Sequence, residues 1–137
     1  MTPPSRLRFR LGGYFDDGFD VRLSRRRLLY RKTVGPIPDE QAQVIRPSEE
    51  QWGRFWLEVD RIGLWAWLPE YLDHNILDGT QWSLCLAHAG RTMKSWGSNA
   101  YPGSVSYDYA DGGPFADFLR ALAALTGHSE VAKWLVT

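Results

Sequence analysis

Leu7, Phe9 and Leu11 alternate without a break with Arg6, Arg8 and Arg10, and that alternation constrains the fold more than any other feature of the chain. Successive side chains of an extended strand point to opposite faces. Residues 6–11 therefore read as a strand with one apolar face for a core and one basic face for water. The same period returns in two further places. Phe19, Val21 and Leu23 face one way and Asp20, Arg22 and Ser24 the other, while Trp82, Leu84 and Leu86 alternate with Ser83 and Cys85. Residues 27–33 make a third strand, with a poorer pattern because Leu28, Leu29 and Tyr30 are continuous. The glycine- and aspartate-rich stretch 12–18 and the tripeptide Ser24-Arg25-Arg26 supply turns between these strands. Strands joined by such short connections pair antiparallel.

Residues 78–102 form the most ordered unit. Asp78-Gly79 opens it as a turn, the Trp82 strand follows, and His88-Ala89-Gly90-Arg91 breaks the pattern before a return strand over 92–96. Gly97-Ser98-Asn99-Ala100-Tyr101-Pro102 ends it, so the unit reads as a β-hairpin with a shaped exit. Between the first three strands and this hairpin, residues 34–47 carry Pro36, Pro38 and Pro47 and read as an irregular connector. Ser48, with Gln51 three residues on and Glu49-Glu50 in the first turn, predicts a helix N-terminus with a capping box. Trp52, Phe55, Trp56 and Val59 then share one helical face, a core stripe rather than a ligand box, and Gly63 closes the helix. Residues 64–77 are apolar without a clear period, and the segment is either a short strand or a loop packed over the sheet edge. Pro114 suits the first turn of a second helix marked by Phe115, Phe118, Leu119, Leu122 and Leu125 and ended by Gly127. Residues 129–137 add a short last turn, with Trp134 and Leu135 packing back.

The order β-β-β-α-β-β-α implies an α+β two-layer sandwich. Its expected form is an antiparallel sheet of about five strands with two main helices on one face. At 137 residues the expectation is a single domain over 1–137, with a tail at 1–5 and a long loop at 97–113.

The formal net charge of zero hides a segregation. Residues 1–34 hold nine Lys/Arg against three Asp, residues 35–80 hold nine acids against Arg46, Arg54 and Arg61, and the remainder balances. Either the two halves neutralise each other across the folded surface, or Arg6, Arg8, Arg10, Arg22, Arg25, Arg26 and Arg27 form a basic face for nucleic acid. A pI near 6.8 weighs against a dedicated nucleic-acid binder. The segment MTPPSRLRFR lacks the apolar core of a signal peptide, and no apolar run approaches a membrane span. A soluble, cytoplasmic, bacterial-style protein is expected.

The residues that carry chemistry do not assemble into a motif. Cys85 stands alone inside a strand pattern, so neither a disulfide framework nor a cysteine-rich metal site is expected. His74, His88 and His128 lie at turns or ends, without ligand spacing or a nucleophile beside them. Gly12-Gly13 and Gly112-Gly113 lack the spacing and lysine of a phosphate loop, and Asp16, Asp17 and Asp78 read as turn formers. No catalytic residue, metal or cofactor is therefore assigned. The high aromatic content, 14% with seven Trp, and the tyrosines of 97–113 point instead to contact surface. Trp96, Asn99, Tyr101, Tyr107 and Tyr109 are the candidate ligand- or partner-binding residues. For Asn99, Tyr101 and Pro102 a structural reading stands beside this one: a positive φ, a plug at the sheet corner and a strand stop.

Asp78-Gly79, Trp82 and Leu84 form D-G-x-x-W-x-L, and Gly97, Asn99, Tyr101 and Pro102 form G-x-N-x-Y-P. With the helix around 52–67 and the C-terminal helix, this pattern resembles a group of small, uncharacterised bacterial proteins over most of residues 5–127. That resemblance implies a shared fold and no particular activity. In layout, Gly12-Gly13-Tyr14-Phe15, the helix and the strand pair are similar to emfourin-type protein inhibitors of metalloproteases. The hairpin here is richer in Trp and ends in G-x-N-x-Y-P.

The expected function is a small non-catalytic domain that binds another protein, inhibitor-like or immunity-like. The alternatives are a small-molecule or peptide site at the 97–113 loop, using Trp96, Asn99, Tyr101 and Tyr107, and weak nucleic-acid binding through the basic N-terminal strands.

Overall fold

Phe9 lies fully buried at the centre of the first strand, and its ring meets residues from both layers of the fold. It packs 5.7 Å from Phe19 on the neighbouring strand and 5.1 Å, edge-on, from Phe118 of the C-terminal helix. The computed structural model describes residues 6–13, 17–34, 37–38, 42–72, 80–98, 100–102, 113–128 and 131.

Three long strands, β1 (Arg6–Gly13), β2 (Asp17–Ser24) and β3 (Arg27–Val34), form an antiparallel meander. β7 (Thr80–His88) and β8 (Arg91–Ser98) form the expected hairpin. β1 joins the two units. It pairs antiparallel with β7 along its whole length, from Arg6 opposite Ala87 to Gly13 opposite Thr80. Both turns hold two residues with positive φ, Arg25-Arg26 and Ala89-Gly90. This is the type I′ geometry whose twist matches that of the flanking strands.

The sheet is wider than the five antiparallel strands expected from the pattern, and it is mixed. β4 (Ile37–Pro38) and β5 (Gln43–Ile45) both pair with β3, so the proline-bearing connector forms an interrupted edge. β6 (Glu70–Leu72) forms the opposite edge and runs parallel to β8. Counting the interrupted edge once, the sheet is seven strands across, in the order β4-β3-β2-β1-β7-β8-β6. The added strands are two or three residues long, too short for a period-two pattern to declare itself. Pro38 is tolerated because an edge strand has one side without a ladder to complete.

α1 (Glu49–Ile62) and α2 (Pro114–Thr126) lie on the face that carries Leu7, Phe9, Leu11, Val21, Leu84 and Leu86, and share one core with them. The α1 N-terminus carries the predicted capping box. Ser48 Oγ accepts from the Gln51 backbone N–H at 3.1 Å, and Gln51 Oε1 accepts from the Ser48 N–H at 2.7 Å. Gly63 and Gly127 end the two helices in the left-handed region, at φ 75° and 74°. Trp52, Phe55, Trp56 and Val59 are all buried, so the aromatic stripe of α1 belongs to the core. A short 3-10 turn, Leu64–Ala66, connects α1 to β6. The segment that follows the turn is tied down by Ser95, whose buried hydroxyl donates to the Leu68 carbonyl at 2.6 Å.

The hairpin exit has a specific packing logic. Gly97 lies directly opposite Trp82 on one side and Tyr71 on the other. With no side chain at Gly97, the Trp82 indole lies across it and donates Nε1–H to the Ala100 carbonyl at 3.0 Å. Tyr101 then turns into the core, 4.8 Å from Phe115. The glycine, the tryptophan and the tyrosine of the two sequence motifs therefore make one corner of the fold.

At the other end of the hairpin, His88 stacks on Trp56 with ring centroids 3.8 Å apart and planes within 7°. Burial, and the neighbouring Arg91, lower its pKa, opposed in part by Asp60.

Two outcomes follow from this packing. A Cβ at position 97 would fall on Trp82 Nε1 and 2.6 Å from the Ala100 oxygen, both held in the core. Gly97→Ala is expected to destabilise the fold by about 2–3 kcal/mol, read as a lower urea midpoint at unchanged slope. His88 titrates at an ordinary 6.5 when unfolded and lower when folded, so its contribution to stability is complete above pH 6.5 and is lost as pH falls from there towards the folded value. His88→Phe keeps an aromatic ring against Trp56 and is expected to flatten that part of the stability–pH curve in urea melts.

Candidate functional site

Of the predicted contact residues, the two that are described, Trp96 and Tyr101, lie on opposite sides of the sheet. Trp96 projects from the helix-free face of the sheet and is 44% exposed. Tyr101 is 2% exposed and belongs to the core on the opposite side. Asn99, Tyr107 and Tyr109 lie outside the described residues, as do Trp134 and Leu135. A shallow cavity of about 110 Å³ does occur elsewhere, between α1 and α2, lined by residues that include Gln51, Arg54, Phe55, Glu58 and Leu125. It does not involve the hairpin exit. Among the described residues, no group of three or more His, Cys, Asp or Glu could hold a metal ion, and no helix is long and apolar enough to cross a membrane.

The structure assembles a different surface. The strand registers place Arg6, Arg8 and Arg10 of β1, Arg22 of β2, Arg27 and Arg31 of β3 and Lys94 of β8 on the helix-free face. Among the described residues, only Asp20 and Glu70 bring carboxylates to that face. Its centre is unusual for a sheet. Arg8 lies directly opposite Arg22, and Arg22 directly opposite Leu29, which Arg27 and Arg31 flank along β3. Opposite positions bring Cβ atoms to about 5 Å and diagonal ones to about 7–8 Å, so the four arginines share one patch centred on Arg22. Arg8 and Arg22 are exposed, whereas Arg27 and Arg31 are half-buried. The Nε of each half-buried arginine is out of solvent and without a hydrogen-bond partner.

The charges of the helical layer behave in the opposite way. Arg54 pairs with Glu50 at 2.6 Å, Arg61 with Glu58 at 2.6 Å, Arg120 with Asp117 at 3.3 Å and Arg91 with Asp60 at 3.1 Å. The hydrogen bond from Arg61 lowers the pKa of the Glu58 carboxyl, and the same contact raises that of Arg61. Arg91 also sits over the Trp65 ring, 4.6 Å from its centroid. Such exposed pairs contribute little to stability, but they cancel the field of that side. Among the described residues, none of the seven sheet-face cations has an ion-pair partner.

The sequence pattern offers Arg6, Arg8, Arg10, Arg22, Arg25, Arg26 and Arg27 as basic-face candidates, of which Arg25 and Arg26 form the β2–β3 turn, and it leaves out Arg31 and Lys94. The apolar run Leu28-Leu29-Tyr30 masked the phase of β3. Buried Leu28 and Tyr30 set that phase, and they send Arg27, Leu29 and Arg31 outward. Half-exposed apolar side chains punctuate the basic field. Val44 of the edge strand is 45% exposed opposite Leu29, and Trp96 and Leu72 stand at the far corner.

No protein-family model matches the chain, and no curated protein does.

The tip of the β2–β3 turn extends the basic surface and carries backbone strain. Arg25 and Arg26 have φ of 52° and 69°, in the left-handed region that favours Gly, Asn or Asp. The double substitution Arg25→Asn/Arg26→Gly installs the residue types this turn prefers. It is expected to raise stability by about 1–2 kcal/mol in thermal or urea melts.

Proposed function

We propose that the chain is a small non-catalytic binding domain, inhibitor-like or immunity-like, that docks onto an acidic surface of another protein through the helix-free face of its sheet. The observation that carries this reading is the separation of charge between the two layers: ion pairs neutralise the helical side, while seven cations on the sheet side have none among the described residues. Side-by-side cations oppose folding, and a partner carboxylate turns that liability into binding free energy.

The composition of the face favours protein over nucleic acid. Six of its seven cations are arginine, and exposed Trp96, Val44 and Leu72 lie among or beside them. Arginine and tryptophan are enriched at protein interfaces and lysine is depleted. Single-stranded nucleic acid is held by stacking successive bases on several aromatic rings, and Trp96 is the one outward aromatic on the described strands. Asp20, opposite both Arg10 and Arg31, interrupts the field a phosphate backbone would follow. The similarity of layout to emfourin-type inhibitors fits a protein partner, and the free thiol of Cys85 fits the cytoplasm.

The test compares three forms of the tagged protein as bait in its native host: wild type, Arg8→Glu/Arg22→Glu on the sheet face, and Arg54→Glu/Arg120→Glu on the helical side. A protein partner is expected with the wild type and the helical variant. Its affinity is expected to fall by about tenfold or more with the sheet-face variant, and to weaken with added salt. Equal retention by all three forms removes the reading. So does a single-stranded oligonucleotide that binds at low salt and loses affinity in the sheet-face variant alone.

A further inference from the structure

We infer that the patch formed by Arg8, Arg22, Arg27 and Arg31 is an oxyanion site that takes a phosphoryl group carried on the partner protein, in preference to a lone carboxylate. This rests on the protein-docking reading above and adds the chemistry of the central contact.

Three observations support it. The first is charge density. Arg8 and Arg22 are direct cross-strand neighbours, and Arg27 and Arg31 are the two diagonal neighbours of Arg22. Asp20 opposite Arg31 is the nearest acid in the registers, and no ion pair joins them. A carboxylate brings one charge. A phosphoryl group brings nearly two, with three strong acceptor oxygens, and so matches several guanidinium groups at once.

The second is the unmet hydrogen-bonding capacity of Arg27 and Arg31. Each holds its Nε away from water with no acceptor. A donor desolvated and left unpaired costs folding free energy, and it is satisfied when the Nε/Nη edge of the guanidinium turns onto an oxygen of an incoming anion. The desolvation has then already taken place in the free protein.

The third is the residue type. Each of the four positions is arginine, whose planar fork grips an oxyanion by two parallel hydrogen bonds where lysine offers a point charge. Half-buried Leu29, between Arg27 and Arg31 on the same strand, provides an apolar base along which the arginine stems can lie.

The experiment titrates the full chain with three short acidic peptides that differ at one position, serine, glutamate or phosphoserine. Inorganic phosphate and a single-stranded oligonucleotide form separate arms. Affinity is read by calorimetry, and the site by the NMR signals of the arginine Nε–H groups. The phosphoserine peptide is expected to bind about tenfold or more tightly than the other two, the gain of about one additional charge-assisted hydrogen bond. It is also expected to move the Arg27 and Arg31 Nε–H signals. Arg22→Gln should abolish that gain, and Arg120→Gln, in the helical layer, should leave it intact. Equal affinity for the three peptides overturns the phosphoryl site. The protein-docking reading falls separately, on unchanged partner retention by Arg8→Glu/Arg22→Glu. Tighter binding of inorganic phosphate, or of the oligonucleotide, than of the phosphopeptide overturns a protein-borne source. A gain that survives Arg22→Gln overturns the location.

Discussion

The packing of Phe9 between the layers is the contact on which the rest of the structure depends. β1 lies between β2 and β7, so it is the one strand that belongs to both the meander and the hairpin unit. Its central ring meets Phe19 within the sheet and Phe115 and Phe118 above it. Phe118 in turn approaches Phe55 of α1, at 6.4 Å, and Trp67 beyond the helix. Through this chain of aromatic contacts, burying one face of β1 brings together elements that are far apart in sequence. Close packing also leaves little freedom at the corner, where Gly97 yields its side-chain volume to Trp82.

A second consequence follows from the same strand. Once Phe9 points to the core, the pleat must send Arg8 and Arg10 outward. The β1–β2 ladder then lines up Arg22 with Arg8, and the two-residue turn at 25–26 fixes the β2–β3 register that sets Arg27 and Arg31 diagonally to Arg22. Core packing and the electrostatics of the free face are therefore two sides of one constraint. The helices cover the apolar side and neutralise their own charges in pairs, whereas the opposite side concentrates arginine without ion pairs among the described residues. A folded chain of zero net charge can thus present a strongly basic surface, since net charge carries no information about where charges sit.

How much was legible in the sequence depended on how local each feature is. The capping box at Ser48, the left-handed glycines at 63 and 127, the core stripe of Trp52, Phe55 and Trp56 and the Trp82 hairpin all follow from patterns within a few residues, and all are present. The edge strands were not legible: β4, β5 and β6 hold two or three residues each and owe their conformation to a neighbouring ladder. The candidate site was legible only in part. Trp96 and Tyr101 stand five positions apart on the two sides of the hairpin exit, because Tyr101 packs into the core on Phe115. Arg31 was hidden by a continuous apolar run whose phase only its partner strand resolves.

The sequence alone determined which residues of β1, β2 and β7 face inward, where the two main helices begin and end, and that β1 has one wet basic face. These are consequences of side-chain alternation and of backbone groups seeking nearby partners. Tertiary structure decided which strands become neighbours, that β6 runs parallel to β8, and that four arginines from three strands share one patch. Strand pairing joins residues distant in the chain, and a period of two specifies the face of a strand while leaving its neighbour open.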